Sequence, residues 1–170
     1  VKYYHYLADY YKHIGEKGLA MEVYQNILEL DPSDADAQLA LAGSDKGSMD
    51  DVGYIQSLKP VFNNPEVDIN AKLKELLPLI NKVVETKDKT LGRAVLELST
   101  ILETIHSDNA KGYAASGDVL FHMADKSAAL EKYNKAITLD ATVYPVWEQV
   151  MSIHAEQENY TTLLTVTEKA

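Results

Sequence analysis

The chain has 170 residues, 46% of them hydrophobic, and a formal net charge of −10. That is ample apolar material for one packed domain, while the acidic balance disfavours nucleic acid, whose phosphates need basic neutralising charge. Cysteine is absent, which removes disulfides, thiolate metal sites and a cysteine nucleophile from consideration.

Residues 1–34 read as two amphipathic helices. Tyr4, Leu7, Ala8 and Tyr11 fall at i, i+3, i+4 and i+7, one apolar stripe at helical period. Gly15 and Gly18 break the pattern and supply a turn. Ala20, Val23, Tyr24, Ile27 and Leu28 form the second stripe, which Asp31-Pro32 ends because proline disfavours helix in the residue before it. Helices this short bury their stripes only by packing as a hairpin, and Ala8 and Ala20 supply the small residues that a close approach needs.

Residues 35–67 hold Leu39, Leu41 and Ala42, then the run GSDKGSMDD, then Ile55, Leu58, Val61 and Phe62. Tyr54 stands where a small residue belongs and Pro60 interrupts, so a distorted hairpin with a short or frayed first helix is expected. Asp68, after NNPEVD, is the expected cap of the next helix. Residues 68–109 carry the cleanest periodicity. Leu73, Leu76, Leu77, Ile80, Val83 and Val84 make one stripe; Leu91, Ala94, Val95, Leu98, Ile101, Leu102 and Ile105 make the next. ETKDKT joins them, and Pro78 predicts a kink. Residues 110–143 return to the first pattern with Tyr113, Ser116-Gly117, Leu120, Ala129, Tyr133 and Ala136. Residues 144–170 open another unit with Trp147, Val150 and His154, followed by Leu163, Thr167 and Ala170.

These residues carry a resemblance to the tetratricopeptide repeat (TPR) family. Its pattern of about 34 residues has a large aromatic, a Leu-Gly/Ala pair, a Tyr, an Ala, an aromatic, another Ala and a closing Pro. Tyr4, Leu7-Ala8, Tyr11, Ala20, Tyr24 and Pro32 occupy those places, with Ile27 departing at the third small position. The interval between Ala20 and Ala129 leaves room for two further repeats. The resemblance implies an all-α, right-handed α-α superhelix, a TPR-like solenoid of about five helical hairpins in a single domain. The succession of a clean repeat, a degenerate one and a leucine-rich hairpin is also similar to the C-terminal half of long TPR proteins of Bacteroidota. That similarity implies a bacterial, cell-envelope location, periplasmic or associated with the outer membrane. Neither end shows a polar capping helix, so the chain is expected to be part of a larger array.

Signatures of enzymes are missing: the sequence contains no HExxH, no GxSxG, no phosphate-cradling glycine loop and no dinucleotide fingerprint. No hydrophobic run is long enough to span a membrane. His5, Asp9 and His13 lie at i, i+4 and i+8 on one helix face, but a zinc site needs a fourth ligand and second-shell support, and the sequence indicates neither. His122 with Asp118 and Asp125 is a weaker version of the same idea. Neither a metal nor any other cofactor is expected. Asn159-Tyr160-Thr161 matches a glycosylation sequon, a motif that arises readily by chance. Tyr3, Tyr6 and Tyr10 are the tyrosines that repeat packing leaves unexplained.

TPR proteins bind peptides or partner helices in the concave groove lined by the first helix of each repeat. Carried onto this sequence, that geometry points to Lys2, His5, Asp9, Lys12 and His13 in the first unit, and to Lys111, Asp118, Phe121 and His122 in the later clear one. Asp9 would repel the C-terminal carboxylate that one chaperone-binding subfamily clamps. The expected function is non-catalytic capture of a protein or peptide; the alternative is a structural scaffold that self-associates through its uncapped ends.

Overall fold

A computed structural model describes residues 1–47 and 49–170, without the side chains of Asp45 and Lys169. Among the described residues there are ten α-helices and no strand. They are α1 (Lys2–His13), α2 (Lys17–Leu30), α3 (Ala35–Asp45), α4 (Asp51–Asn63), α5 (Ile69–Thr86), α6 (Lys89–Ile105), α7 (Ala110–His122), α8 (Lys126–Leu139), α9 (Tyr144–Glu156) and α10 (Tyr160–Lys169). They follow one another as five helix pairs. By contacts the chain divides into two compact units, Val1–Lys72 and Leu73–Ala170.

In the first unit, Ala8 and Ala20 are fully buried, as the hairpin requires, and Ala8, Val23, Tyr24, Ile27 and Ala37 form one core cluster. Asp34 caps α3 through its side chain, accepting from the Ala37 N–H at 2.9 Å. The frayed first helix expected for the second pair does not materialise. With 11 residues, α3 is one shorter than α1, and Gly43 and Ser44 sit inside its last turn, where Ser44 Oγ donates back to the Leu41 carbonyl. Ser48, in the same run, lies outside the described residues. In α4, Tyr54, Ile55, Leu58, Val61 and Phe62 are buried while Pro60 faces outward, so the missing amide donor costs no interior hydrogen bond.

The loop after α4 is organised by Asn64. Its amide donates to the Ser33 carbonyl at 2.7 Å and to Gln38 Oε1 at 3.0 Å, and its own carbonyl accepts from Lys72 Nζ at 2.7 Å. Asp68 Oδ1 accepts from the Asn70 N–H, the role expected of a cap. Lys72 is buried, and desolvation holds its ammonium down to about 8 against the opposing pull of Asp68.

In the second unit, the buried arc of α5 takes in Leu76, Leu79, Ile80 and Val83. Leu77, assigned to that stripe from spacing, is 50% exposed. Leu77 and Leu79 flank the line through Leu76 and Ile80 on opposite sides, and the neighbouring core lies on the Leu79 side. Two faces of α6 are covered. Leu91, Val95, Leu98 and Leu102 make its expected apolar stripe, while Gly92, Ser99 and Glu103 are buried beside it. The second face meets α7 closely: Ser116 Oγ donates to Ser99 Oγ at 2.9 Å, and a Cβ on Gly112 would stand 3.3 Å from the Glu103 backbone nitrogen. Between α7 and α8, the Tyr133 ring lies so close to Gly117 that an added Cβ would fall 2.4 Å from it.

One turn recurs in three pairs. Gly15, Ala124 and Glu158 all have left-handed φ, at 84°, 67° and 55°. The amide after each donates five residues back, from Glu16 to Tyr11, Asp125 to Leu120 and Asn159 to His154, each at 2.9 Å. This is the Schellman closure of a helix. Only the first copy places glycine where left-handed backbone is unstrained.

Two exchanges between glycine and alanine, seven positions apart, therefore have opposite expected signs. Gly117→Ala drives a methyl into the Tyr133 ring and lowers the unfolding free energy by ~1–3 kcal/mol. Ala124→Gly relieves left-handed strain and raises it by up to ~1 kcal/mol, net of the freedom gained by the unfolded chain. Urea denaturation of both variants reads the pair. Lys72 yields a pH dependence. Between about 8 and its ordinary value of 10.5, the folded amine is neutral while the unfolded one still holds a proton. Stability of the wild type relative to Lys72→Met should then rise with pH across that window and stay flat below it, as melting temperatures at stepped pH would show.

Candidate binding trough on the first unit

The first unit carries two adjoining cavities. One, of about 440 Å³, is lined by His5, Asp9 and Lys12 of α1, Tyr24 of α2, and Asp36, Leu39 and Ala40 of α3. The other, of about 620 Å³, is lined by Lys12, by Lys17, Gly18 and Met21 at the start of α2, and by Ala40, Gly43 and Ser44 of α3. Lys12 and Ala40 belong to both, so the two form one trough along the first helices of successive pairs. Met21, Ala40 and Gly43 give it an apolar floor, and Asp9, Lys12, Lys17 and Asp36 a charged rim.

Each lining residue is placed by helix geometry. His5, Asp9 and Lys12 share one face of α1 because they stand at i, i+4 and i+7. His5 is not a free ligand. Its Nε2 meets Asp34 Oδ2 at 2.8 Å, and Asp34 caps α3 with its other oxygen, so one carboxylate fixes the imidazole and starts the opposite wall. The imidazole stands edge-on to the Tyr24 ring at 6.4 Å. Lys12 Nζ sits 5.9 Å above the same ring and 3.9 Å from Asp9 Oδ1. Both partners of that ion pair are exposed, so it contributes little to stability and leaves Lys12 able to turn toward a bound group.

The trough brings together His5, Asp9 and Lys12 from the residues expected to line a groove. Lys2 and His13 line neither cavity; Lys2 Nζ lies 6.0 Å over the Tyr6 ring. Among the described residues, no three His, Asp or Glu side chains gather as a metal-holding group. In the second unit, Asp118 accepts a hydrogen bond from the Tyr133 hydroxyl at 2.7 Å. Burial pushes the Asp118 carboxyl above the usual range, against the opposing effects of that hydrogen bond and of His122, and burial likewise raises Tyr133. Phe121 packs on the second-unit core with its ring 5.2 Å from that of His122. His122 itself borders a small pocket of about 190 Å³ with Lys87, Asp88, Lys89 and Met123. Lys111 is exposed on the first turn of α7.

Lys17, Gly18 and Met21 of α2 also line the trough, beyond the first-helix positions to which the groove geometry of TPR proteins points. Asp34 was within reach: an aspartate just before an apolar helix is an N-cap pattern, and its second oxygen is free for a neighbour.

Residues 1–43 match the family model for the tetratricopeptide repeat. No curated protein matches the sequence. Among solved structures, a crystal structure of MamA superposes with a TM-score of 0.61 at 16% identity, covering 95% of this chain and 91% of that one. MamA 41-end from Desulfovibrio magneticus RS-1 gives 0.60 at 12% identity, covering 99% and 91%. PilF of Pseudomonas aeruginosa gives 0.57 at 18%, covering 99% and 73%. At these identities the likeness shows the fold alone, an all-α TPR-like solenoid. Residues 1–43 thus carry a tetratricopeptide repeat, and the chain as a whole is similar in fold to solenoids of that kind.

Proposed function

We propose that this chain captures a peptide or a segment of a partner protein in the trough between α1, α2 and α3, without reacting with it. The observation that carries this reading is the pair of adjoining cavities that share Lys12 and Ala40. An apolar floor inside a charged rim suits a segment that inserts one or two apolar side chains and is oriented by polar contacts at its edges. The rim carries both signs, Lys12 and Lys17 against Asp9 and Asp36, so orientation comes from matching a charge pattern rather than from bulk attraction. Tyr24, Lys12 and His5 form a joined cluster, so the wall is held before anything binds, which limits the ordering cost of association.

Gly43 offers a clean test. It lies within α3, and a Cβ built there meets nothing within 4 Å, so Gly43→Leu fills the trough without a clash and replaces a poor helix former. Peptides selected on the wild-type chain from a displayed random library should bind Gly43→Leu at least about tenfold more weakly, and bind Thr104→Ala, on exposed α6 surface, unchanged. Selected peptides that bind Gly43→Leu as tightly as the wild type would place the site elsewhere.

A further inference from the structure

The trough has a charge polarity along its length. The smaller cavity carries the carboxylates: Asp9 of α1 and Asp36 of α3 line it, and its histidine, His5, is tied to Asp34. In the larger cavity the charged lining groups are both ammonium, Lys12 and Lys17. The order runs the same way on two helices. Along α3 the acidic cavity takes Asp36, Leu39 and Ala40, and the basic one Ala40, Gly43 and Ser44. Along α1 the lining begins at His5 and Asp9 and ends at Lys12. From Asp36 to Gly43 is seven residues, roughly 10 Å at 1.5 Å per helical residue.

The second unit shows the same positions with their charges used up inside the protein. In the register that sets Ala129 against Ala20, Asp118 stands for Asp9, Phe121 for Lys12, Lys126 for Lys17 and Pro145 for Asp36. Asp118 is half-buried and accepts from the Tyr133 hydroxyl at 2.7 Å. Lys126 is paired with Glu156 of α9, a position that Gly47 fills in the first unit. Phe121 and Pro145 carry no charge. On the first unit, by contrast, Lys17 and Asp36 are exposed, and among the described residues their side chains have neither a hydrogen-bond nor an ion-pair partner. Lys12 and Asp9 meet only at 3.9 Å, in an exposed pair that holds neither in place.

We infer that the trough takes a peptide segment of the opposite polarity. A carboxylate side chain lies over Lys12 and Lys17, a basic side chain lies between Asp9 and Asp36, and an apolar side chain between the two rests on Met21 and Ala40. This rests on the capture reading and adds to it the composition and orientation of the segment. In an extended segment, at about 3.3 Å per residue, the two charges stand about three residues apart. A uniformly acidic segment meets Asp9 and Asp36 at one end, and a uniformly basic one meets Lys12 and Lys17 at the other. Each is therefore rejected by half of the trough.

Peptides selected on the wild-type chain from a displayed random library are the probes. They should carry an acidic and a basic residue on either side of an apolar one. Each peptide is titrated against the wild type, Lys17→Glu and Asp36→Lys, together with two copies, one with its acidic residue changed to lysine and one with its basic residue changed to glutamate. The parent peptides should bind each variant about three- to tenfold more weakly. That loss should shrink in ~1 M salt, where screening acts within about 3 Å. The copy that exchanges acid for lysine should recover on Lys17→Glu alone, and the copy that exchanges base for glutamate on Asp36→Lys alone. Both positions are exposed, so both variants should keep the wild-type circular dichroism. Three outcomes overturn the inference and leave capture standing: selected peptides without such a charge pair, peptides that Gly43→Leu weakens but neither charge variant does, and rescue at the opposite end. Peptides that bind Gly43→Leu as tightly as the wild type remove the capture reading, and this inference with it.

Discussion

The packing of this chain depends on an aromatic ring laid against a small residue across each well-formed hairpin. In the second unit the ring is Tyr133 and the small residue Gly117, close enough that no Cβ fits between them. In the first unit Tyr24 shares a core cluster with Ala8. A hairpin of two short helices has few side chains with which to exclude water, so one large ring must serve both, and the opposite backbone has to come near enough to meet it. The small residue is the condition for that approach. Once the ring is buried, its hydroxyl and the groups around it need partners, and the two units satisfy this differently. Tyr133 donates to Asp118 and is sealed. Tyr24 stands beside His5 and Lys12 at the floor of an open trough. The same repeat position is structural in one unit and borders the candidate site in the other.

Much of this was legible because the informative residues recur at fixed intervals. The stripes of α2, α6 and α8, the small residues Ala8, Ala20, Ala129 and Gly117, and the Asp68 cap all follow from period and from backbone requirements, whereas of the α1 stripe only Ala8 is buried and Tyr4 and Leu7 are exposed. What escaped depends on which neighbour an element meets. Nothing local distinguishes Leu77 from Leu79 as the buried partner of Ile80; the core on one side of α5 decides it. Lys72 and Glu103 are residue types that ordinarily face water. Their burial is intelligible only with the Asn64 carbonyl and Lys132 Nζ in place, the latter 2.6 Å from Glu103 Oε2. Half of the trough was foreseeable for the same reason. His5, Asp9 and Lys12 follow from their shared helix face, whereas Lys17 and Met21 enter because α2 begins where α3 ends.

The recurring turn shows how far the repeat constrains backbone before it constrains sequence. Gly15, Ala124 and Glu158 share left-handed φ and the same five-residue hydrogen bond, although only one of them is glycine. Helix closure must turn the chain within three or four residues so that the ring and the small residue face each other. Alanine and glutamate accept strain there because the hairpin on either side fixes the turn. The repeat geometry thus persists at these three turns where its residues have drifted.

The two long faces of α1 are set apart by helix geometry. The trough takes His5, Asp9 and Lys12, while the exposed stripe takes Tyr3, Leu7 and Tyr10, each two positions earlier. At about 3.6 residues per turn, two positions turn a helix by roughly 200°, so the two sets look out from opposite sides of one rod. A partner bound in the trough therefore leaves the tyrosine face untouched. One helix of 12 residues can therefore carry an apolar stripe on one side and offer a binding wall on the other, provided that its third side, Ala8, stays small enough for α2.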